Sequence, residues 1–92
     1  MLFMVIEHFH DGAAPAIYAR FCARGRLLPP GVSHVASWVE TDLARCFQVM
    51  ECERREQLDA WMSAWSDLTD FEVIPVLTSA EAAQRVGPGA PN

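Results

Sequence analysis

Two histidines near the start of the chain have a spacing that suits metal binding. His8 and His10 lie two positions apart, and side chains at that spacing on a β-strand project from the same face. A shared metal ion would need a third ligand, for which His34, Glu7 and Cys46 are candidates, and no spacing rule selects one of them. The competing interpretation is a pair of surface histidines at the end of a strand with no metal. We favour this second interpretation.

A second group of polar residues interrupts apolar runs. Glu7, Arg45, Gln48 and Glu72 stand in segments that otherwise predict buried strands, where an unpaired charge is strongly unfavourable. One interpretation places these residues at the ends of the sheet, or in ion pairs across strands or across a dimer. For Arg45 in particular we predict a carboxylate partner, either Glu7 or Glu51, because a guanidinium cannot lose its charge.

The other interpretation makes some of these polar residues the anchors of an apolar ligand pocket. A glutamate held in such a pocket would have a raised pKa and could serve as the base in a proton transfer. Aromatic residues in the neighbouring segments would form the walls. For Arg45, the alternative to a carboxylate partner is an exposed position in which the guanidinium stacks on Trp38. The candidate pocket residues are Glu7, Tyr18, Trp38, Arg45, Phe47 and Gln48.

Several other chemistries lack support in the sequence. Cys46 lies in the middle of a predicted strand with no histidine beside it, so we interpret it as a packed thiol and not as a nucleophile. No GxSxG motif is present to support a hydrolase triad. The closing GPGAPN has no helix after it and cannot form a phosphate-binding loop. We therefore predict no cofactor.

Composition limits the partners and the compartment. The chain has 92 residues, of which 51% are hydrophobic, and a net charge of -5. One small domain with so much apolar surface predicts a homodimer, and the acidic balance argues against a nucleic acid partner. No apolar run is long enough to span a bilayer, and no basic leader precedes Glu7. Three cysteines without CxxC spacing predict reduced thiols and a cytoplasmic location.

The positions of these residues depend on the elements that carry them. The hydrophobic pattern predicts four strands and three helices. The first strand runs from Leu2 to Phe9, and an apolar stripe from Ala14 to Leu28 marks the first helix. A hairpin follows, then a helix from Arg54 to Ser66. The fourth strand runs from Phe71 to Leu77, where Pro75 indicates an edge position, and a capping box at Thr78 and Glu81 begins a short helix that ends near Val86.

The hairpin from Ser33 to Cys52 organises the rest of the chain. With Thr41 and Asp42 as the turn, Trp38 would lie opposite Arg45, Ala36 opposite Phe47, and His34 opposite Val49. Both faces carry apolar residues, so we expect the hairpin to be covered on both sides. In the second helix, Trp61 and Trp65 share a face with Leu58 and Met62, and this stripe predicts core packing and not an aromatic binding box.

The element order β-α-β-β-α-β predicts an α+β fold of the ferredoxin-like type, an antiparallel sheet with two helices on one face. The predicted domain spans residues 1–86, and residues 87–92 are predicted to be a flexible tail. Two helices can cover only one face of a four-stranded sheet. The other face is apolar as well, which favours pairing of two sheets into a dimeric α/β barrel.

Three segments of the sequence resemble a family of small bacterial domains of unknown function: GRLLPPGV, SWVETDLARCFQVME and WSDLTDFEVIPVLTSAEAA. The similarity extends over about residues 1–86. It implies the dimeric α/β-barrel fold, which is shared more distantly with antibiotic-biosynthesis monooxygenases and muconolactone isomerase-like proteins. The family provides no catalytic residues to transfer. Positions typical of the family and present here are Gly25, Arg26, Trp38, Arg45, Phe47, Glu51 and Trp65.

Three functional hypotheses remain open from the sequence. The preferred one is a protein that binds a small apolar molecule, with a cofactor-free monooxygenase or isomerase as the activity that the resemblance suggests. The second is a metal-binding protein that uses His8, His10 and a third ligand. The third is a structural or regulatory dimer whose own side chains fill its interior.

Overall fold

The computed structural model describes residues 1–87. The predicted tail, residues 87–92, lies outside this part of the chain except for Gly87. The elements follow the order β-α-β-β-α-β-α, and their bounds are β1 Leu2–Phe9, α1 Ala14–Arg24, β2 Ser33–Val39, β3 Arg45–Glu51, α2 Gln57–Ser63, β4 Thr69–Val76 and α3 Ser79–Val86.

The four strands form one antiparallel sheet in the order β2-β3-β1-β4. This is the predicted ferredoxin-like α+β topology, in which β1 and β3 occupy the centre. Pro75 lies in β4, an edge strand, as the missing N–H of proline requires. None of the helices in residues 1–87 could cross a membrane; the longest has 11 residues, against the about 20 needed to span a bilayer.

Both α1 and α2 pack on the same face of the sheet, which we call the helix face. The core there joins Phe3 and Val5 of β1 and Met50 of β3 to Ile17 of α1 and Leu58 of α2. Trp61 and Trp65 are also buried, so the prediction for the second helix is confirmed. Each indole Nε1 donates a hydrogen bond to the carbonyl oxygen of Arg26, at 3.1 and 3.0 Å.

The opposite side of the sheet, which we call the open face, carries no helix within the described residues. Burial alternates strictly along β1 up to Glu7, because odd-numbered residues point to the helix face and even-numbered residues to the open face. The open face is nonetheless largely apolar. Its hydrophobic side chains are Leu2, Met4, Ile6, Val35, Ala36, Trp38, Phe47, Val49, Ile74 and Val76.

The hairpin forms as predicted, but its register is shifted by two residues. Trp38 lies opposite Phe47, and not opposite Arg45. The turn has four residues, 41–44, and not two, because Leu43 adopts a left-handed backbone with φ 61° and the Asp42 side chain accepts a hydrogen bond from the Ala44 N–H at 3.1 Å. A shift of two residues leaves each side chain on its predicted face.

A β-bulge between His34 and Ala36 changes the faces at the start of β2. His34 lies opposite Met50, a buried residue of the helix face, and not opposite Val49 as predicted. Val35 is left 55% exposed. The bulge therefore moves His34 from the predicted open face to the helix face, because one extra residue reverses the alternation.

The helices are shorter than their apolar stripes. Helix α1 ends at Arg24, where the next residue, Gly25, has a φ of 69° and its N–H bonds to the carbonyl oxygen of Phe21. Glycine is the residue that adopts this left-handed conformation without strain.

In α3, the predicted capping box is confirmed. Thr78 Oγ1 accepts a hydrogen bond from the Glu81 N–H, and the Glu81 carboxylate accepts one from the Thr78 N–H.

Candidate functional site

A pocket opens on the helix face, between α1 and the end of the sheet that carries Val39 and Cys46. Its volume is about 90 Å³. The strand register explains its floor: Glu7 lies opposite Cys46, and Gln48 lies opposite Ser37. These four side chains come from three adjacent strands and face the same side. Apolar and aromatic residues complete the lining, namely Phe9, Ile17, Tyr18, Phe21, Val39, Trp61 and Trp65, together with Arg26.

Glu7 is the buried charged group at the centre of this floor. It is only 5% exposed, and its carboxylate accepts a hydrogen bond from the amide Nε2 of Gln48. Burial raises the pKa of Glu7, and the hydrogen bonds from Gln48 and Cys46 and the charge of Arg26 oppose this rise only in part. The partners in hydrogen-bond contact with Glu7 are neutral, so the carboxyl group gains less from ionisation here than in water.

Cys46 lies beside Glu7 and is unsuited to nucleophilic chemistry. Burial, followed by the charge of Glu7 and a hydrogen bond to it, raises the pKa of the Cys46 thiol to about 12. A thiol at that pKa is protonated at neutral pH, and the thiolate is the reactive form. The interpretation of Cys46 as a packed thiol is therefore supported.

Arg26 reaches the pocket from the loop after α1. Gly25 and Leu27, on either side of it, both have a left-handed backbone, with φ of 69° and 61°. This turn directs the Arg26 carbonyl toward Trp61 and Trp65, while the guanidinium lies over the Phe21 ring at 5.0 Å and contacts Ser37 Oγ at 3.4 Å. A left-handed leucine is a strained conformation, and the two indole hydrogen bonds hold the segment in place.

The pocket is open to solvent along α1. Tyr18 is 40% exposed and Phe21 is 37% exposed, although both rings line the pocket. Their spacing, three residues apart, places them side by side on the helix. Partly exposed aromatic rings above a buried polar floor are typical of the entrance to a small-molecule pocket.

The structure divides the six predicted pocket residues between the two faces of the sheet. Glu7, Tyr18 and Gln48 line the helix-face pocket. Trp38, Arg45 and Phe47 do not, because they lie on the open face, where Trp38 and Phe47 are cross-strand partners. The sequence argument grouped all six because both faces of the hairpin are apolar, and apolarity alone cannot assign residues to one pocket.

The predicted partner of Arg45 was wrong. Arg45 is held by a carboxylate, as expected, but that carboxylate belongs to Glu40: Nε donates to Oε1 at 2.7 Å and Nη2 to Oε2 at 3.0 Å. Glu7 points to the other face, and Glu51 lies at the opposite end of β3. The guanidinium also lies over Phe47, 5.1 Å from the ring centroid, and not over Trp38.

The three histidines do not come together. His8 bonds to Glu72, and His10 bonds to Asp70 through Nε2 at 3.0 Å. His34 lies on the helix face near Arg26; burial, followed by the charge of Arg26, lowers its pKa. Its Nε2 is buried without a hydrogen-bond partner among the described residues. No group of three or more His, Cys, Asp or Glu side chains in residues 1–87 is placed to hold a metal ion.

Several lining residues were missing from the sequence prediction. Ser37 and Cys46 could have been found, since the predicted alternation already placed them on one face with Gln48. No sequence pattern indicates where Arg26 lies, because it follows the end of α1 in a loop whose path depends on two left-handed residues. Trp61 and Trp65 were assigned to the core, and they serve both the core and the pocket wall.

Comparison with known proteins agrees with the resemblance found in the sequence. The sequence model of a family described as a domain of unknown function (DUF3303) matches residues 1–90. The comparisons with curated proteins and with solved structures found no match.

Proposed function

We propose that this chain, which belongs to the DUF3303 family, binds a small and largely apolar molecule in the helix-face pocket, with Glu7 as its polar anchor. The observation that carries the proposal is the position of Glu7, a buried carboxyl group at the floor of a pocket that opens to solvent. A buried carboxylate without a cationic partner in contact is unfavourable for stability, so a fold that keeps one has a use for it at that place.

The size of the pocket limits the ligand. The volume of about 90 Å³ is smaller than the roughly 150 Å³ of an engineered cavity that binds benzene. A head group smaller than a benzene ring therefore fits at the polar floor. The remainder of the ligand would lie in the entrance, between the rings of Tyr18 and Phe21.

The chemistry that the pocket supports best is a proton transfer. An ionised Glu7 takes a proton from a carbon next to a carbonyl group, and the resulting enolate regains a proton at the same or another carbon. This step is balanced with no other reactant, whereas oxygenation would also need dioxygen as the oxidant. Of the two activities that the resemblance suggests, we therefore propose the isomerase type, without a cofactor.

The proposal also includes a homodimer formed through the open face. Strands of seven or eight residues give this four-stranded face dimensions of roughly 25 by 19 Å. That footprint of about 480 Å² is below the roughly 800 Å² per partner of a standard interface. Helix α3 supplies further surface: none of its residues is buried, and a groove of about 800 Å³ separates it from Met1, Leu2 and Val76.

A second copy is the occupant that this face fits best. The molecule measures 18 Å along its shortest axis, close to the thickness of one sheet and one helix layer, so a matching apolar sheet would complete the second half of a core. The polar side chains at one end of the face already have partners there: His8 is hydrogen-bonded to Glu72, and Arg45 forms an ion pair with Glu40. In this proposal the dimer is cytoplasmic, which its three free cysteines support.

Ligand binding can be tested by tryptophan fluorescence in a Trp38→Phe background, which leaves Trp61 and Trp65 as reporters beside the pocket. The protein is titrated with a panel of compact aromatic ketones, acids, amides and amines. We expect saturable quenching that Val39→Phe, which fills the pocket from β2, weakens at least about tenfold. Val35→Phe, on the same strand but outside the pocket, is the matched control and should bind normally.

Proton transfer is tested separately, with phenylacetone in deuterated water. We expect the chain to accelerate deuterium incorporation next to the carbonyl, and Glu7→Gln to abolish the acceleration while Glu72→Gln, on the open face, retains it. Absence of saturable binding by every compound in the panel would overturn the proposed function. Binding without deuterium exchange would restrict the function to binding.

A further inference from the structure

The chemical class of the ligand follows from Arg26, the one cationic side chain among the described residues that line the pocket. We propose that the pocket takes a monoanionic carboxylate, with the anionic head group bound by the guanidinium of Arg26 beside Ser37 and the apolar remainder between Tyr18 and Phe21. This inference rests on the proposed function and adds to it the charge of the ligand and the residue that recognises it.

The first observation is that Arg26 has no ion-pair partner within residues 1–87. Of the seven arginines, all within residues 1–87, only Arg20 and Arg26 are not exposed. Arg20 forms a two-bond ion pair with Asp67 at 2.8 and 2.7 Å. Arg26 forms no ion pair with any carboxylate of the described residues. A half-buried guanidinium that keeps its charge needs an acceptor.

The second observation concerns the donors that Arg26 has free. A guanidinium carries five N–H donors, and the contact of Arg26 with Ser37 Oγ at 3.4 Å is the side-chain hydrogen bond it makes within residues 1–87. The Phe21 ring covers one flat side of the guanidinium, which leaves its N–H edge for an acceptor in the plane. A carboxylate matches that edge with two parallel hydrogen bonds.

The third observation is the effect of the Arg26 charge on the pKa values of neighbouring residues. The Arg26 charge opposes the rise in the pKa of Glu7 and of Cys46, and after burial it contributes to the lowered pKa of His34; these three residues lie on three different strands. The positive charge is therefore felt across the polar floor and not only at the rim. An anion held there would be stabilised by Arg26 in a partly desolvated site, where such an interaction is stronger than in water.

Glu7 determines which anion the pocket accepts and at what pH. Two negative charges on the floor would face one guanidinium, so a bound carboxylate favours the protonated form of Glu7. The other titratable groups that face Glu7 are Cys46 on β3 and Tyr18 on α1, and burial raises the pKa of both, so they stay neutral at physiological pH. Where Glu7 is ionised in the free protein, binding of the anion is therefore coupled to uptake of a proton, and affinity should fall as the pH rises through the raised pKa of Glu7. The proton transfer proposed above uses the ionised form, so in a complex with a carboxylate it is limited to the fraction of the protein in which Glu7 has lost its proton.

The test uses three planar probes of nearly equal shape and different charge: benzoate, benzamide and benzamidinium. Their dissociation constants are measured from the indole N–H signals of Trp61 and Trp65 in nitrogen-15 NMR spectra. We expect benzoate to bind at least about tenfold more tightly than benzamide, and benzamidinium to bind most weakly. Above the pKa of benzoic acid itself, Glu7→Gln should remove the dependence of the benzoate affinity on pH.

Variants of Arg26 separate its charge from its structural role. Arg26→Gln should weaken benzoate at least about tenfold and leave benzamide unchanged, with Arg26→Lys between the wild type and Arg26→Gln. The indole signals of the free protein should persist, because the indoles bond to the backbone carbonyl of residue 26. Arg24→Gln, two residues away and exposed, is the matched control and should bind benzoate normally.

Two outcomes would overturn the inference in distinguishable ways. If benzamide or benzamidinium binds as tightly as benzoate and Val39→Phe blocks it, the pocket binds small molecules but not as an anion site. If none of the three probes binds, the carboxylate inference fails, and the fluorescence panel decides whether the proposed function fails with it.

Discussion

The two faces of the sheet shift the pKa of a glutamate in opposite directions. Glu7, on the helix face, is buried against neutral partners, and burial raises its pKa. Glu40, at the exposed end of β2, is bound by both donors of Arg45, and that hydrogen-bonded pair lowers the pKa of Glu40. The helix face thus stabilises a neutral acid and the open face an ionised one. In the function that we propose, proton chemistry belongs to the first environment, whereas the second contributes to the specificity of association.

The aromatic residues give the largest expected difference between the two faces. Trp65→Ala on the helix face should lower the free energy of unfolding by ~3–5 kcal/mol, because it deletes a large buried side chain. Trp38 is 59% exposed, so Trp38→Ala should cost less than about 1 kcal/mol. Both values come from urea unfolding followed by circular dichroism at one low protein concentration. Equal losses would remove the distinction between the faces.

Association should depend on the open face alone. Trp38→Glu should raise the dissociation constant of the homodimer about 30-fold, the effect of losing an aromatic residue worth roughly 2 kcal/mol at an interface. Tyr18→Glu places the same charge on the helix side and should leave association unchanged. Sedimentation velocity measures both variants. A wild-type chain that stays a monomer at high micromolar concentration would end the proposal of a paired sheet.

The pH dependence of stability should have opposite signs at the two glutamates. The folded state holds the Glu7 proton more tightly than the unfolded state does, so the contribution of Glu7 is complete below the ordinary pKa and is lost as the pH rises through the raised one. The contribution of Glu40 is present above its ordinary pKa and is lost as the pH falls through the lowered one.

Urea unfolding at a series of pH values checks both signs. Relative to the wild type, Glu7→Gln should gain stability as the pH rises above 4.5, the ordinary pKa of glutamic acid. Glu40→Gln should lose its difference from the wild type as the pH falls below 4.5. If the difference in the free energy of unfolding between Glu7→Gln and the wild type stays constant over the pH range, Glu7 is not held as a neutral acid.

The ion pair at the end of the hairpin should have the smallest effect. Arg45→Ala should reduce stability only slightly, and ~0.5 M salt should reduce the loss further, because an exposed pair is screened. A double-mutant cycle should find coupling of Arg45 to Glu40 and none to Glu7 or Glu51. Coupling to Glu7 would contradict the separation of the two faces.

Most of the fold could be predicted from the sequence, because the hydrophobic periodicity of a long segment distinguishes a helix from a strand. The alternation in β1, the stripe with Trp61 and Trp65, and Pro75 at an edge were all readable. The register of the hairpin was not, since it depends on Leu43 adopting a left-handed backbone, a conformation that leucine rarely takes. The predicted turn had two residues where the chain uses four.

Half of the residues predicted for the pocket do line it, for a related physical reason. Glu7 and Gln48 were identified because charged and polar side chains stand out in apolar strands. The alternation also separates Gln48 from Phe47, and applying it more strictly would have removed Trp38, Arg45 and Phe47 from the pocket. Arg26 was beyond reach, because its position depends on the fold of a loop and on hydrogen bonds from residues 35 and 39 positions away.

The bulge in β2 has a consequence for how far assembly can proceed. An unpaired edge strand offers its backbone to a further strand, which is how open-ended fibres grow. Here the bulge at Val35 interrupts one edge and Pro75 interrupts the other. Both edges thus resist extension of the sheet, while the broad apolar face stays available. In the dimer that we propose, growth is therefore directed into a closed pair and away from a filament.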